Sequence, residues 1–318
     1  MQKKSSRHIF VLQSHTVFKY LRRRFFPPKL GDELSDEEKE NTVCRSIFKY
    51  RFDCRYPVTF NERLVWLKLH YRNPLWAQCS DKLGGKEFLH QSGFGQYVPR
   101  TLGTYASSSE IDLSKLPEKF VLKTNNDSGS VFLCDRSRTN FDDVFRKLDH
   151  ALTRDYASEK REWVYDSVRP VIFAEEILQP ERGDDLADFK FFCFSGHVRF
   201  LFVGRHRNSD VRFSLHRRDF ALIDCMYIYR LPPRNERREK PSCYDELVSL
   251  AEQVSKPFDF VRVDMFATKD GPRIGELTFF SQSGQGLFSK DKYDYEFGHF
   301  FDETALGALF PRRGAGRY

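Results

Sequence analysis

Residues 261–286, VRVDMFATKDGPRIGELTFFSQSGQG, limit the fold of this chain more than any other stretch. Two β-rich runs, Val261–Phe266 and Arg273–Phe280, flank the turn signal Lys269-Asp270-Gly271-Pro272 and predict an antiparallel hairpin. Register sets its chemistry. Pro272 has no N–H to donate, which disfavours the tightest closure at Asp270-Gly271. A wider odd loop, closed by Ala267 and Arg273 and centred on Asp270, places Asp264 directly opposite Glu276. Opposed side chains hold their Cβ atoms ~4.5–5.5 Å apart, where like charges repel. The pair therefore calls for a cation between the two acids. Oxygen ligands of this kind suit Mg2+ or Mn2+, which commonly bring substrate phosphates with them. Thr278 shares the face of Glu276 and adds a hydroxyl, and the loop Ser281–Gly286 offers backbone N–H groups to an anion. A two-residue turn would instead put the acids on opposite faces, as decoration of an ordinary hairpin.

Composition narrows the rest. The 318 residues suffice for one large domain or two smaller ones, and 32 Phe signal a folded chain. A net charge of +7 favours an anionic partner: nucleotide, acidic sugar, membrane surface or nucleic acid. Seven cysteines stand singly between Cys44 and Cys243 with no C-x-x-C, against a disulfide framework or a zinc site and in keeping with a reducing cytosol. No run of 18 apolar residues exists to span a membrane. Lys3-Lys4 and Ile9–Leu12 outline a signal peptide, but Gln13, Ser14 and His15 interrupt it, so it reads as uncleaved.

Residues 1–30 are basic and aromatic. Phe18–Phe26, FKYLRRRFF, suits peripheral contact with an anionic membrane surface, or a solvated basic helix packed on the domain. Ser35 with Glu38, and Thr59 with Glu62, form capping boxes that open helices; the second helix carries Phe60, Leu64, Trp66 and Leu67 as its apolar face. Ser80 is the expected cap of a helix bearing Lys82 and Lys86, where a cation in the first turn opposes the helix dipole. The strand Phe120–Lys123 runs into TNNDSGS, so that a lysine precedes a small polar loop with Ser128 and Gly129, a phosphate-cradling arrangement without P-loop spacing. Phe141–Arg154 reads as a helix and Val171–Leu178 as a buried strand with Glu175-Glu176 near its end. Asp188–Phe194 and His197–Gly204 flank Ser195-Gly196 and form a second hairpin, with Asp188 and Lys190 on a face otherwise aromatic. Residues 205–240 are strongly basic: the last run is a solvated loop, and Arg205, Arg207 and Arg212 are candidate contacts for an acidic substrate. Cys243–Ser255 is a helix leading into the metal hairpin, and 311–318 a basic tail.

Taken in order, these segments resemble the ATP-grasp superfamily. The wording FNERLVWLKL, SDKL, FVLKTNNDSGS, DFKFFCFSG, FVRVDMF and GELTFFSQSG resembles its TupA-like branch, associated with bacterial cell-surface polysaccharide and teichuronopeptide synthesis, from about Phe60 to Gly298. The resemblance implies an α+β, ATP-grasp fold: two subdomains with antiparallel sheets gripping a nucleotide, preceded by a short helical region. It implies a helical extension over 1–58 and an ATP-grasp-like domain over 59–310, divided at 178/179. Lys82 and Lys123 match the phosphate-holding lysines; Glu175 and the backbone of Glu176, Ile177 and Leu178 match the adenine hinge. Asp188 matches a ribose acceptor, Lys190 a cation facing the phosphates, and Asp264 and Glu276, with Thr278, the Mg2+ ligands. The implied cofactors are ATP and Mg2+ (or Mn2+), and the implied chemistry is an acyl-phosphate captured by an amine. The implied acceptor is an acidic sugar or amino acid, and the setting is cytoplasmic. The chain departs from the pattern at Asn126-Asp127, where His-Gly is usual, at Ser281 for Pro, Thr278 for Asn and Lys86 for Arg.

Two other classes compete. A capsule-synthesis glycosyltransferase lacks support, since no Asp-x-Asp metal motif is present. A basic glycan- or nucleic-acid-binding module is disfavoured because the basic residues are not interleaved with aromatics in an RNA-binding motif.

Overall fold

The computed structural model describes residues 34–183, 186–205, 212–227 and 239–312, with Arg205 and Arg212 as backbone only. The basic segments at 1–33 and 313–318, Arg207, and most of the 228–240 run lie outside the described residues. Both capping boxes form. Ser35 and Thr59 accept the third helical N–H, and Glu38 and Glu62 reach back, starting α1 (Asp36–Ile47) and α2 (Phe60–His70). Phe60, Leu64 and Leu67 are buried, whereas Trp66 is only half-buried and packs edge-on against Phe310. Next come α3 (Pro74–Ser80) and α4 (Lys82–Gln91), and here the expected cap is corrected. Ser80 closes α3, and Asp81 caps α4, its carboxylate accepting the Leu83 N–H at 2.9 Å. A Cβ on Gly84 or Gly85 would stand 2.4 Å from the Gln78 carbonyl oxygen or 2.9 Å from that of Cys79, so this glycine pair permits the close α3–α4 corner.

The first sheet contains β1 (Thr101–Tyr105), β2 (Lys119–Thr124), β3 (Val131–Asp135) and β4 (Ile172–Glu175), in the order β1-β4-β2-β3 with antiparallel pairings. Between β3 and β4 run α5 (Phe141–Leu152) and the short α6 (Tyr156–Lys160). Phe120 and Leu122 pack with Val144 and Leu148 of α5, giving this sheet its own core. Strand alternation then sends Val121, Lys123, Val131, Leu133, Phe173 and Glu175 to the opposite face.

The second sheet holds β5 (Asp188–Phe194), β6 (His197–Arg205), β7 (Arg212–Arg217), β8 (Leu222–Ile223), β9 (Phe260–Thr268) and β10 (Gly271–Thr278), ordered β10-β9-β5-β6-β7-β8. α7 (Tyr244–Ser255) precedes β9, and α8 (Lys292–His299) follows β10. The β5–β6 hairpin closes on Ser195 and Gly196, both left-handed at φ 45° and 80°, the backbone a two-residue turn requires. Phe60 of α2 enters an aromatic cluster with ring centroids 5.7, 5.8 and 5.9 Å from Phe192, Phe200 and Phe260. Truncating such a buried ring costs about 3–5 kcal/mol, so α2 and this sheet fold as one unit. On α7, Leu247, Ala251 and Val254 join the same core.

The β9–β10 hairpin reaches the expected pairing by another route. Its turn is tight: Thr268 pairs with Gly271 across Lys269-Asp270, and Pro272 pairs with Ala267. The wide loop closed by Ala267 and Arg273 is therefore not the one observed. Gly271 takes φ 89°, which lets the turn close before Pro272 is reached. That tight register alone would face the two acids apart. A bulge between Ile274 and Glu276, at Gly275, shifts it by one residue and sets Glu276 opposite Asp264.

Candidate active site

The opposed acids of the hairpin meet one guanidinium. Arg262 stands opposite Thr278 and two residues before Asp264, on the same face of β9. Its Nε and Nη2 donate to the two Asp264 oxygens at 2.6 and 2.7 Å. The same Nη2 lies 3.3 Å from Glu276 Oε1 and 3.1 Å from Thr278 Oγ1. Lys190 Nζ, from β5, contacts Asp264 Oδ2 at 2.5 Å and Asp188 Oδ2 at 2.7 Å. Burial pushes the Asp264 carboxyl up, but Arg262 and Lys190 outweigh it and hold the pKa at about 2. Burial likewise opposes the Arg262 charge, and Asp264, Glu276 and Asp188 more than restore it. Asp188, read in sequence as a ribose acceptor, is buried with its carboxylate against Lys190.

Two carboxylates and a hydroxyl on one face are an oxygen set suited to Mg2+ when a bound molecule supplies the other ligands. Among the described residues no group of three or more Asp, Glu, His or Cys makes a protein-only cage. The residues present fit an ion shared with a ligand's oxygens.

The first sheet contributes the other cations. Glu175, at the end of β4, is held between Lys86 Nζ at 2.5 Å and Lys123 of β2. Burial pushes its pKa up, and the two lysines bring it below the ordinary value. Its carboxylate is thus engaged inside the protein. The Glu176 N–H donates to the Arg100 carbonyl at 3.1 Å, and Ile177 and Leu178 follow half-buried. Lys82, first residue of α4, donates to the Thr124 carbonyl at 2.9 Å and to the Asp127 carbonyl. Burial lowers its pKa, with Glu276 and Asp127 pulling back and Lys123 adding repulsion. Those couplings put Lys82 near both Lys123 and the hairpin.

The loop between β2 and β3 explains its departures from the usual wording. The Asp127 carboxylate turns inward, accepting from Thr124 Oγ1 at 2.6 Å and Ser130 Oγ at 2.5 Å. Asn125 joins the Asp81 carboxylate to the Arg169 carbonyl through its Nδ2, at 3.0 and 3.1 Å. These side chains brace the turn, leaving Ser128 and Gly129 exposed, Gly129 at φ 113° with nothing near its missing Cβ.

A cleft of about 340 Å³ brings much of this together. Lys82, Ser128, Glu276 and Thr278 line it, and so do Asp127 and Arg262. Lys190 and Asp264 adjoin it through Arg262, and Lys123 through its coupling to Lys82. Arg207 lies outside the described residues, as do the side chains of Arg205 and Arg212. Sequence reasoning missed Arg262, although its i, i+2 spacing to Asp264 on a strand marks the shared face. It also missed Val131 and Leu133, exposed apolar residues opposite Lys123 and Val121.

The sequence matches the TupA-like ATP-grasp family model over residues 62–302. No curated protein matches it. Among solved structures it is similar to the ATP-grasp ligase PsnB complexed with minimal precursor, at 14% identity, covering 66% of this chain and 56% of that one with a TM-score of 0.37. The D-alanine–D-alanine ligase from Bacillus anthracis complexed with ATP shows 17% identity, coverages of 73% and 67%, and a TM-score of 0.42. N5-carboxyaminoimidazole synthase from Aspergillus clavatus, in complex with ADP and 5-aminoimidazole ribonucleotide, shows 15% identity, coverages of 72% and 52%, and a TM-score of 0.40. The chain spans about half to two thirds of the length of these structures. The family match takes in α4, both sheets and the hairpin of Asp264 and Glu276, and on that match the chain belongs to the TupA-like ATP-grasp family.

Proposed function

We propose that this chain is an ATP-dependent carboxylate–amine ligase that works through an acyl-phosphate in bacterial cell-surface or capsular polysaccharide synthesis. The observation that carries this reading is the single cleft in which Lys82, Ser128, Arg262, Glu276 and Thr278 meet. In the proposal, 59–310 is the catalytic unit. Lys82, Lys123 and Lys190 bind the phosphates, and the backbone of Ser128 and Gly129 closes over them. Val121, Val131, Leu133 and the segment Glu176–Leu178 receive the base. Asp188 positions Lys190. Asp264, Glu276 and Thr278 would hold Mg2+, which neutralises phosphate charge when bound.

The acceptor carboxylate attacks the γ-phosphorus, the bond to the β–γ bridging oxygen breaks, and ADP leaves. Arg262 and the three lysines stabilise the charge that shifts to the leaving oxygen, a task of positioning and electrostatics. An amine then attacks the acyl carbon, phosphate departs with the C–O electrons, and an amide remains. Arg205, Arg207 and Arg212 are proposed to steer an acidic sugar or amino acid toward the site, an effect that salt screens. Among the described residues no helix is long and apolar enough to cross a membrane. The seven free cysteines suit a reducing compartment, and on that ground we place the protein in the cytoplasm.

The test supplies MgATP with a panel of acidic sugars, amino acids and amines, and measures the nucleotide released. ADP formed only when acid and amine are both present supports ligation. Release of a nucleoside diphosphate from a nucleotide sugar, without ATP, would identify a glycosyltransferase. Lys123→Ala should lose most ATP affinity by calorimetry while the fold survives; unchanged affinity rejects the phosphate assignment.

A further inference from the structure

Part of the cleft lining has no role in the nucleotide scheme proposed above. Val43 and Ile47 of α1, which lies ahead of the family-matched segment, share it with Tyr156, Glu162, Tyr165 and Ser283. Glu162 is 5% exposed. Two nearby cations are engaged elsewhere: Lys68 Nζ and Arg161 Nε both contact Glu40 Oε1, at 2.8 and 2.6 Å. Among the described residues no salt bridge reaches Glu162, and the neighbouring Ser283 hydroxyl, which lowers its pKa, itself donates to the Lys160 carbonyl at 3.3 Å. Ser283 and Gln282 before it are left-handed, φ 57° and 51°, a backbone that L side chains avoid and that the surroundings impose here. Tyr156 and Tyr165 stand edge to face, 5.1 Å between centroids, beside the carboxylate in the cleft wall.

A carboxylate only 5% exposed in the cleft wall, with no salt bridge among the described residues, keeps a charge that burial makes costly. A primary ammonium repairs this deficit: it donates N–H groups to the carboxylate and rests its charge against aromatic rings. We propose that Glu162, backed by Ser283 and flanked by Tyr156 and Tyr165, is the subsite that binds the acceptor's primary amine. Its place in catalysis rests on the ligase reading; its capacity to bind an amine does not.

Burial holds the Glu162 carboxyl up at about 7, against Lys68, Ser283 and Lys160, which lower it, and with Glu40, which raises it. Arg161, Glu159, Glu276, Arg262, Tyr156 and Tyr165 are further ionisable groups in the same cleft lining. The site should therefore bind amines above neutrality and release them below it.

The probe is ethanolamine, titrated by calorimetry into the full chain at pH 8.5 and 5.5, with and without a non-hydrolysable ATP analogue. The amine stays protonated at both values, so a change reports the protein. Saturable binding is expected at pH 8.5, about 30-fold weaker at pH 5.5 as the carboxyl takes its proton. Glu162→Gln should weaken binding at pH 8.5 at least tenfold and abolish the pH dependence. No binding by the native chain at pH 8.5, equal binding at both pH values, or full affinity in Glu162→Gln would overturn the proposal. The pH comparison needs no variant, so a misfolded Glu162→Gln leaves it decisive. Failure of the ATP analogue to bind, with amine binding intact, would strike the ligase reading and leave the subsite standing.

Discussion

Gly275 and Gly271 offer a paired experiment on how the hairpin makes its site. A Cβ at Gly275 would stand 2.7 Å from Phe266 Cε2 and 3.3 Å from the Asp264 carbonyl oxygen, so Gly275→Ala overfills the bulge. Such crowding costs about 1–3 kcal/mol. Relief comes by shifting the half-buried Phe266 ring or by expelling the bulge, and expulsion turns Glu276 to the other face. Gly271→Ala meets no atom within 4 Å but forces an L residue to φ 89°, at about 1–2 kcal/mol. The two variants should thus lose similar stability, about 2–4 °C of melting temperature per kcal/mol for a domain of 150–250 residues. Their ligand binding should differ. A charge-assisted interaction is worth about 1.5–3 kcal/mol, so losing Glu276 weakens MgATP binding about 10- to 100-fold. Thermal unfolding paired with calorimetry of an ATP analogue and Mg2+ gives both numbers. Gly275→Ala binding as well as Gly271→Ala, at matched stability, would refute the claim that the bulge assembles the site.

Two more perturbations follow. Arg262→Ala leaves the buried Asp264 with Lys190 as its cation, which should cost about 3–5 kcal/mol; Mg2+ or Mn2+ should then raise the variant's melting temperature more than the native protein's, and an equal response would count against the oxygen set. Asp294 accepts from Asn61 and Tyr50, yet burial lifts its carboxyl to about 7, so its contribution to stability is complete below the unfolded value near 3.9 and is lost as pH rises through 7. Denaturation from pH 4 to 7.5 should show Asp294→Asn shallower than native by up to about 1.4 kcal/mol per pH unit, and parallel curves would contradict the burial effect.

Local chemistry was legible in the sequence, and distant chemistry was not. The capping boxes at Ser35 and Thr59 and the Ser195-Gly196 turn are fixed by residues a few positions apart, so they read directly. The Asp264–Glu276 pairing was legible, but its cause was misplaced: Pro272 pointed to a wide loop, whereas Gly271 closes a tight one and Gly275 restores the register. Asp127 looked misplaced beside phosphates because a sequence does not say which way a carboxylate turns; its oxygens face Thr124 and Ser130. The lysine pair on Glu175 comes from α4 and β2, 89 and 52 positions away by the numbering Lys86, Lys123 and Glu175, and no local pattern announces it.

The cleft balances its own charge before any ligand arrives. Lys86 and Lys123 share Glu175, Arg262 and Lys190 share Asp264, and Lys82 leans on backbone carbonyls. Each cation has a partner that it would have to leave or share if phosphates enter as proposed. Binding would then be an exchange of partners among buried groups, where the desolvation cost has already been met in folding. On the proposed reading such a site would discriminate by charge: a neutral ligand would give the lysines nothing for leaving Glu175, whereas a polyphosphate would replace the carboxylate for several of them at once. The acid released in the exchange is equally specific. In the proposed reading, Arg262 drawn toward phosphate would release Glu276, Thr278 and Asp264 Oδ1 together, with Asp264 Oδ2 still held by Lys190. If the proposed function holds, the arrangement would tie the arrival of an anion to the release of oxygens for a divalent cation, which would give a reason for an arginine standing between two acids on one strand pair.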